Sequence, residues 1–153
     1  MFTVKRINKK VEEALSLSGV GVLPTDTLYG LAGSALSRKA VERIYRLRTR
    51  KKTKPMIILI GSLAQLKIFN TVPSPTTLQC LQHFWPGKVS VVLRISDQRL
   101  RIKFNYLHRG TETMAFRLPK PYWLRRLLCK CGPLVAPSAN LEGKQPARTI
   151  EEA

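Results

Sequence analysis

Residues 23–33, LPTDTLYGLAG, place four hydrogen-bonding side chains close together: Thr25, Asp26, Thr27 and Tyr29. Two further polar stretches sit at the ends of apolar runs, Thr113 to Arg117 and Pro137 to Asn140. Beside them runs a basic segment with Arg46, Arg48, Arg50, Lys51, Lys52 and Lys54. Hydroxyls, an amide and arginines together can bind anions by direction as well as by charge. The planar guanidinium fork matches carboxylate and phosphate bidentately. Strand ends bearing small polar groups are where open α/β sheets place ligands. For residues 23–33 two readings stand, a polar turn capped by Asp26 or one wall of a ligand site.

Several catalytic patterns are missing. No G-x-x-x-x-G-K-[ST] loop and no G-x-G-x-x-G occur, and G-x-S-x-G is absent. His83 and His108 lack a nucleophile context, and Cys80, Cys129 and Cys131 show no zinc-like spacing. An enzyme built from these residues would work by positioning and electrostatics.

At 153 residues the chain is expected to form one domain. The 27 Lys+Arg against 9 Asp+Glu give a formal charge of +18, a field that attracts nucleotides and nucleic acid. No apolar run is long enough to span a bilayer. Lys5, Arg6, Lys9 and Lys10 interrupt any signal-like apolar stretch, so a cytoplasmic protein is expected.

The elements that must position these groups follow from periodicity. Val11, Ala14 and Leu15 form a helical stripe ending near Ser18-Gly19, and 20–23 reads as a buried strand closed by Pro24. Ser37 caps a helix with Val41, Ile44 and Tyr45 inward. Residues 56–60 read as a strand, followed by a short helix after Ser62 and another after Ser74-Pro75. Strands are expected at 89–95, 113–118 and 134–136, with a helix over 122–131 ended by Gly132. Residues 96–111 give no readable pattern. Thr149 and Glu152 have the spacing of a capping box, announcing a helix at the end of the chain.

Taken in order, five motifs resemble the YrdC family, the threonylcarbamoyl-AMP synthases of tRNA modification. They are P-T-D-T-L-Y-G-L from Pro24, R-x-R at Arg48 with Pro55 after it, F-W-P-G from Phe84, A-F-R-L-P from Ala115, and A-P-S-A-N-L-x-G from Ala136. The resemblance implies an α/β (α+β) fold: a single YrdC-like domain over 1–153, with a twisted mixed sheet flanked by helices around a basic cavity. It also implies that the chain lacks the family's last C-terminal elements, which bring a further hydroxyl and a further arginine. The implied activity is L-threonylcarbamoyladenylate synthesis. L-threonine, bicarbonate and ATP, the last with Mg2+, would give threonylcarbamoyl-AMP and pyrophosphate. A separate tRNA threonylcarbamoyl-transferase complex would then use the product.

Position by position, the resemblance implies Thr27, Arg117 and Ala136 as threonine-binding. It implies Arg48, Arg50, Lys54, Thr113, Ser138 and Asn140 as ATP-binding, with Arg48 and Arg50 giving electrostatic stabilisation and no covalent nucleophile or protein-held metal. Asp26 is read as a turn-former. Arg48 stands where relatives usually carry Lys, and Lys54 where many carry Asn. Two other readings remain. One is a non-catalytic YrdC-like module binding double-stranded RNA or tRNA. The other is a paralogous enzyme acting on a different carbamoyl or acyl substrate.

Overall fold

The computed structural model describes residue 4 and residues 6–71 and 73–153; Lys5 lies outside the described residues. Helix α1 (Lys9–Ser16) leads into β1 (Val20–Pro24) and β2 (Tyr29–Ser34), then α2 (Arg38–Leu47). Strand β3 (Ile58–Leu59), a 3-10 helix (Leu63–Phe69), α3 (Pro75–Phe84) and β4 (Val91–Arg94) follow. Helices α4 (Gln98–Lys103) and α5 (Asn105–His108), strand β5 (Thr113–Arg117), α6 (Tyr122–Cys131) and β6 (Leu134–Val135) complete the order. The six strands form one mixed sheet in the order β1-β2-β6-β3-β5-β4. Among the described residues only β3 and β5 pair in parallel.

The pleat sends alternate residues to two cores. On one face Ile58, Met114, Phe116 and Val135 pack with Val41, Ile44 and Tyr45 of α2 and with Phe69 and Phe104. On the other, Leu23, Ala32, Leu59 and Leu134 pack with Val11 and Leu15 of α1 and Leu124, Leu127 and Leu128 of α6. The expected alternation at Thr113, Ala115 and Arg117 therefore puts these three on the face opposite Met114 and Phe116. The paired residues Val92 and Arg94 share that face. Val92 is 63% exposed, so this part of the sheet is open.

Three sequence readings are corrected. Residues 29–34 form a strand, not the continuation of a polar turn. Its glycines and small residues hide the alternation, and they serve close packing instead. A Cβ on Gly33 would lie 3.1 Å from Ile44 Cδ1 and 3.2 Å from Ala40 Cβ. The unreadable stretch 96–111 holds two short helices, the first capped by Asp97 accepting from Arg99 and Leu100 N–H. The announced terminal helix is only a turn. Glu152 N–H donates to Thr149 Oγ1 at 3.3 Å, but the Glu152 carboxylate accepts from Arg148 N–H rather than closing on Thr149.

Gly61 marks where the exit of β3 touches α6. A Cβ there would lie 2.6 Å from Arg125 O and 2.7 Å from Cys129 N. These are backbone atoms that cannot swing away. Gly61→Ala is expected to destabilise the protein by about 1–3 kcal/mol. An unchanged urea midpoint would show that α6 can shift.

Candidate functional site

The turn between β1 and β2 is built by Thr25. Its Oγ1 accepts from the N–H of Thr27 at 3.2 Å and of Leu28 at 3.3 Å, and it donates to Leu28 O at 2.7 Å. Asp26, read from sequence as the turn-former, is not needed for that. Its side chain is 3% exposed, and its Oδ1 lies 3.2 Å from Nη2 of Arg117, itself 8% exposed. Arg117 Nη1 donates to Thr27 Oγ1 at 3.5 Å, the long limit of a hydrogen bond. Arg117 is thus carried inward by β5 between the buried Phe116 and Leu118, and it meets both Asp26 and Thr27.

The segment after β6 is fastened beside this turn. Ala136 N–H donates to Ile57 O at 3.2 Å, Leu31 N–H to Pro137 O at 2.9 Å and Ala139 N–H to Tyr29 O at 2.7 Å. Gly30 and Ser138 form a bridge. A Cβ on Gly30 would stand 3.2 Å from Thr25 Cγ2 and 3.4 Å from Pro137 O, so the turn and the segment after β6 lie in close contact there.

A second cluster forms around Arg48, at the C-terminal cap of α2. Its Nε donates to Asn140 O at 3.0 Å, and its Nη2 to Asn140 Oδ1 at 3.2 Å and Ser138 Oγ at 3.3 Å. Only 5% of Arg48 is exposed. Burial, and then the nearby Arg50, lower its pKa from the ordinary guanidinium value, while Glu142 opposes this. Asn140 Nδ2 in turn donates to Leu141 O and Lys144 O, both at 2.8 Å.

Arg50 and Lys54 of the basic segment are also engaged through their side chains. Arg50 donates to the carbonyls of Lys54 at 3.3 Å and Pro55 at 3.1 Å. Lys54 Nζ reaches Glu142 Oε1 at 2.6 Å, and Lys51 N–H reaches Glu142 Oε2 at 2.7 Å. Glu142 was not singled out in the sequence. It is the only acidic residue between Glu112 and Glu151, and its position beside the S-A-N stretch was the available signal. Hydrogen bonds from Lys54 and Lys51 hold its carboxyl below the usual range. A depressed folded pKa gives stabilisation that is complete above the ordinary carboxylate value and is lost as pH falls through the lowered one. An NMR titration of the Glu142 carboxyl is expected to show a midpoint below the ordinary glutamate value. Lys54→Ala should move it upward; an unmoved midpoint contradicts the tie.

The sequence-designated residues thus fall into groups. Thr27 and Arg117 meet, and Ala136 lies in the fastened segment next to their turn. Arg48, Ser138 and Asn140 form one network, with Arg50 and Lys54 beside it. Thr113 touches neither group; its Oγ1 donates to Thr111 Oγ1 at 3.2 Å. A cleft of about 280 Å³ opens at Thr25, Thr27 and Tyr29, and a second of about 580 Å³ at Asn140 and Lys144. Arg148 lines both. Among the described residues, no three His, Cys, Asp or Glu side chains group to hold a metal ion, and no helix is long and apolar enough to cross a membrane.

Residues 13–153 match the Sua5/YciO/YrdC family model, described as telomere recombination. The chain is 36% identical over 135 residues to the threonylcarbamoyl-AMP synthase of Bacillus subtilis, covering 87% of this chain and 38% of that protein. It is 33% identical over 139 residues to the mouse threonylcarbamoyl-AMP synthase, covering 90% and 48%. The crystal structure of Pyrococcus abyssi Sua5 complexed with L-threonine superposes with a TM-score of 0.84 at 28% identity, covering 97% of this chain and 44% of that one. The chain therefore spans less than half the length of each of these relatives.

Proposed function

This chain belongs to the Sua5/YciO/YrdC family, and from that premise we propose that it is an L-threonylcarbamoyladenylate synthase. The observation that carries the reading is the meeting of Arg117 with Thr27 beside the fastened 136–140 segment. A relative of the same fold has been crystallised with L-threonine. Arg117 would hold the threonine carboxylate, with the Thr27 hydroxyl and the backbone at Ala136 completing the seat. The threonine amine would take carbon from bicarbonate, releasing water and leaving an N-carboxylate. An oxygen of that carboxylate would attack the α-phosphorus of ATP, and pyrophosphate would leave.

Thr113, Ser138, Asn140, Arg50 and Lys54 would serve the nucleotide through hydroxyls, an amide and positive charge. Arg48 would act chiefly by holding Ser138 and Asn140 in place, since its Nε and Nη2 donate to them. Magnesium would arrive with the triphosphate. The product would pass to a cytoplasmic tRNA threonylcarbamoyl-transferase complex.

Pyrophosphate release from ATP should need both L-threonine and bicarbonate. Release that is unchanged when threonine is omitted overturns the synthase reading. A second reading is favoured by one observation. Helix α2 presents Arg38, Lys39, Arg43 and Arg46 to solvent, and its one acid, Glu42, is taken by Arg109 at 2.9 Å. Under that reading the chain binds double-stranded RNA or tRNA. Binding that tightens as salt falls, together with no threonine-dependent release, would favour it.

A further inference from the structure

Asp26 lacks an explanation in the site as described. The turn it occupies is closed by Thr25. Its carboxylate is buried, neither oxygen accepts a hydrogen bond, and its charge partner is Nη2 of Arg117. A buried carboxylate with one cation and no hydrogen bonds is costly. A turn alone gives no reason to bear that cost.

We propose that Asp26 is a positioning residue for threonine binding. It anchors the Nη2 side of the Arg117 guanidinium, so that Nη1 stays beside Thr27 Oγ1 as the seat for the ligand carboxylate. The assignment rests on the reading of Arg117 given above.

The physical case begins with the arginine stem, which is long and has many rotamers. Its fork binds a carboxylate well only when the donors are already aimed. Two anchors define that aim, Asp26 at 3.2 Å and Thr27 at 3.5 Å. The Thr27 hydroxyl carries no charge and its contact is long, so it cannot fix the fork by itself. The Asp26 contact is charged and shielded from water, and screening by salt is weak there. Thr27 is exposed and lines the 280 Å³ cleft, whereas Asp26 does not. The ligand therefore approaches on the Thr27 side, and Asp26 acts from behind the guanidinium. Arg117 Nε is buried without an acceptor, so nothing else on the side chain substitutes for the anchor.

The test is Asp26→Asn, which keeps shape and removes charge. L-threonine and ATP binding are measured separately by titration calorimetry on the full chain. In parallel, the side-chain N–H signals of Arg117 are followed by NMR. The expected result is a weakening of threonine binding by roughly tenfold or more, with ATP affinity within about twofold of wild type. The Nη signals of Arg117, distinct in the wild type because rotation about Nε–Cζ is hindered, should average in the variant. A merely structural Asp26 would weaken threonine and ATP together, and that outcome overturns the assignment. So does a variant that binds threonine as well as or better than wild type, or one whose Arg117 signals are unchanged. A wild type that binds ATP but no threonine overturns the synthase reading and this assignment together. Normal wild-type binding with an indifferent variant overturns this assignment alone.

Discussion

Arg117→Ala is expected to abolish threonine-dependent turnover and also to lower stability by about 3–5 kcal/mol, the usual cost of removing one partner of a buried ion pair. The two effects have one origin. The Asp26 side chain is 3% exposed and its charge is met by Arg117 alone among the ion pairs of the described residues, so the substitution strands a buried carboxylate. The same guanidinium is the proposed seat of the threonine carboxylate. Losing a desolvated charge-assisted contact costs roughly 2–5 kcal/mol, or about 30-fold to several-thousand-fold in affinity. Arg117→Lys separates the effects. An ammonium can still neutralise Asp26, so unfolding should stay within about 1 kcal/mol of wild type. It cannot offer a fork, so threonine affinity should still fall. If Arg117→Lys binds threonine normally, one donor arm on Asp26 and another on the ligand are not needed, and the argument from the fork is wrong. RNA retention should survive in Arg117→Lys. Equal loss of both functions would place RNA at the same site.

The second large effect is expected at Arg48. Arg48→Ala should cost about 2–4 kcal/mol, from three charge-assisted hydrogen bonds lost in a site that is 5% exposed. It should also loosen the segment that carries Ser138 and Asn140. That segment has a second tie to α2, Glu142 N–H to Arg48 O at 2.9 Å, which the substitution leaves in place. The sheet should therefore persist while the loop moves. Denaturant unfolding gives the stability change, and hydrogen exchange at residues 138–144 gives the loosening. ATP affinity should drop with them. An exchange pattern identical to wild type would show that Arg48 does not staple the loop. Arg48→Lys is the sharper variant, because one ammonium cannot span Asn140 O and Ser138 Oγ as the fork does.

How much of this was legible in the sequence depended on what each element uses for its stability. Strands made from apolar runs, such as Val20–Pro24 and Thr113–Arg117, announce themselves by composition, and their ends were placed within a residue. Helix α2 was legible from Ser37, whose Oγ accepts from Ala40 N–H, and from the stripe of Val41, Ile44 and Tyr45. Strand β2 was not, because Gly33 sits close against α2 and Gly30 close to the 136–140 segment, and closeness leaves no periodic trace. Helices α4 and α5 were hidden by their shortness and by basic residues on the faces away from the core. Their anchors, Phe104, Tyr106 and Leu107, are too few to set a period.

The site shows the same division. Side chains with distinctive chemistry, Arg117 and the Ser138–Asn140 pair, could be named from motif order. Who touches whom could not. Asp26 looks like any turn aspartate in sequence, and only the direction of its side chain toward Arg117, 91 positions on, gives it a different part. Glu142 likewise acquires meaning only once the 141–144 turn brings it to Lys54. The expectation that Arg48 faces a phosphate directly now stands beside a geometry in which its Nε and Nη2 donate to Ser138 and Asn140.

The proposed reaction has a traceable atom. With the chain, ATP, L-threonine and carbon-labelled bicarbonate, the label should appear in an adenylate that also contains threonine, with one pyrophosphate released per label incorporated. Label absent from any adenylate, while ATP is consumed at a rate indifferent to threonine, would contradict the account.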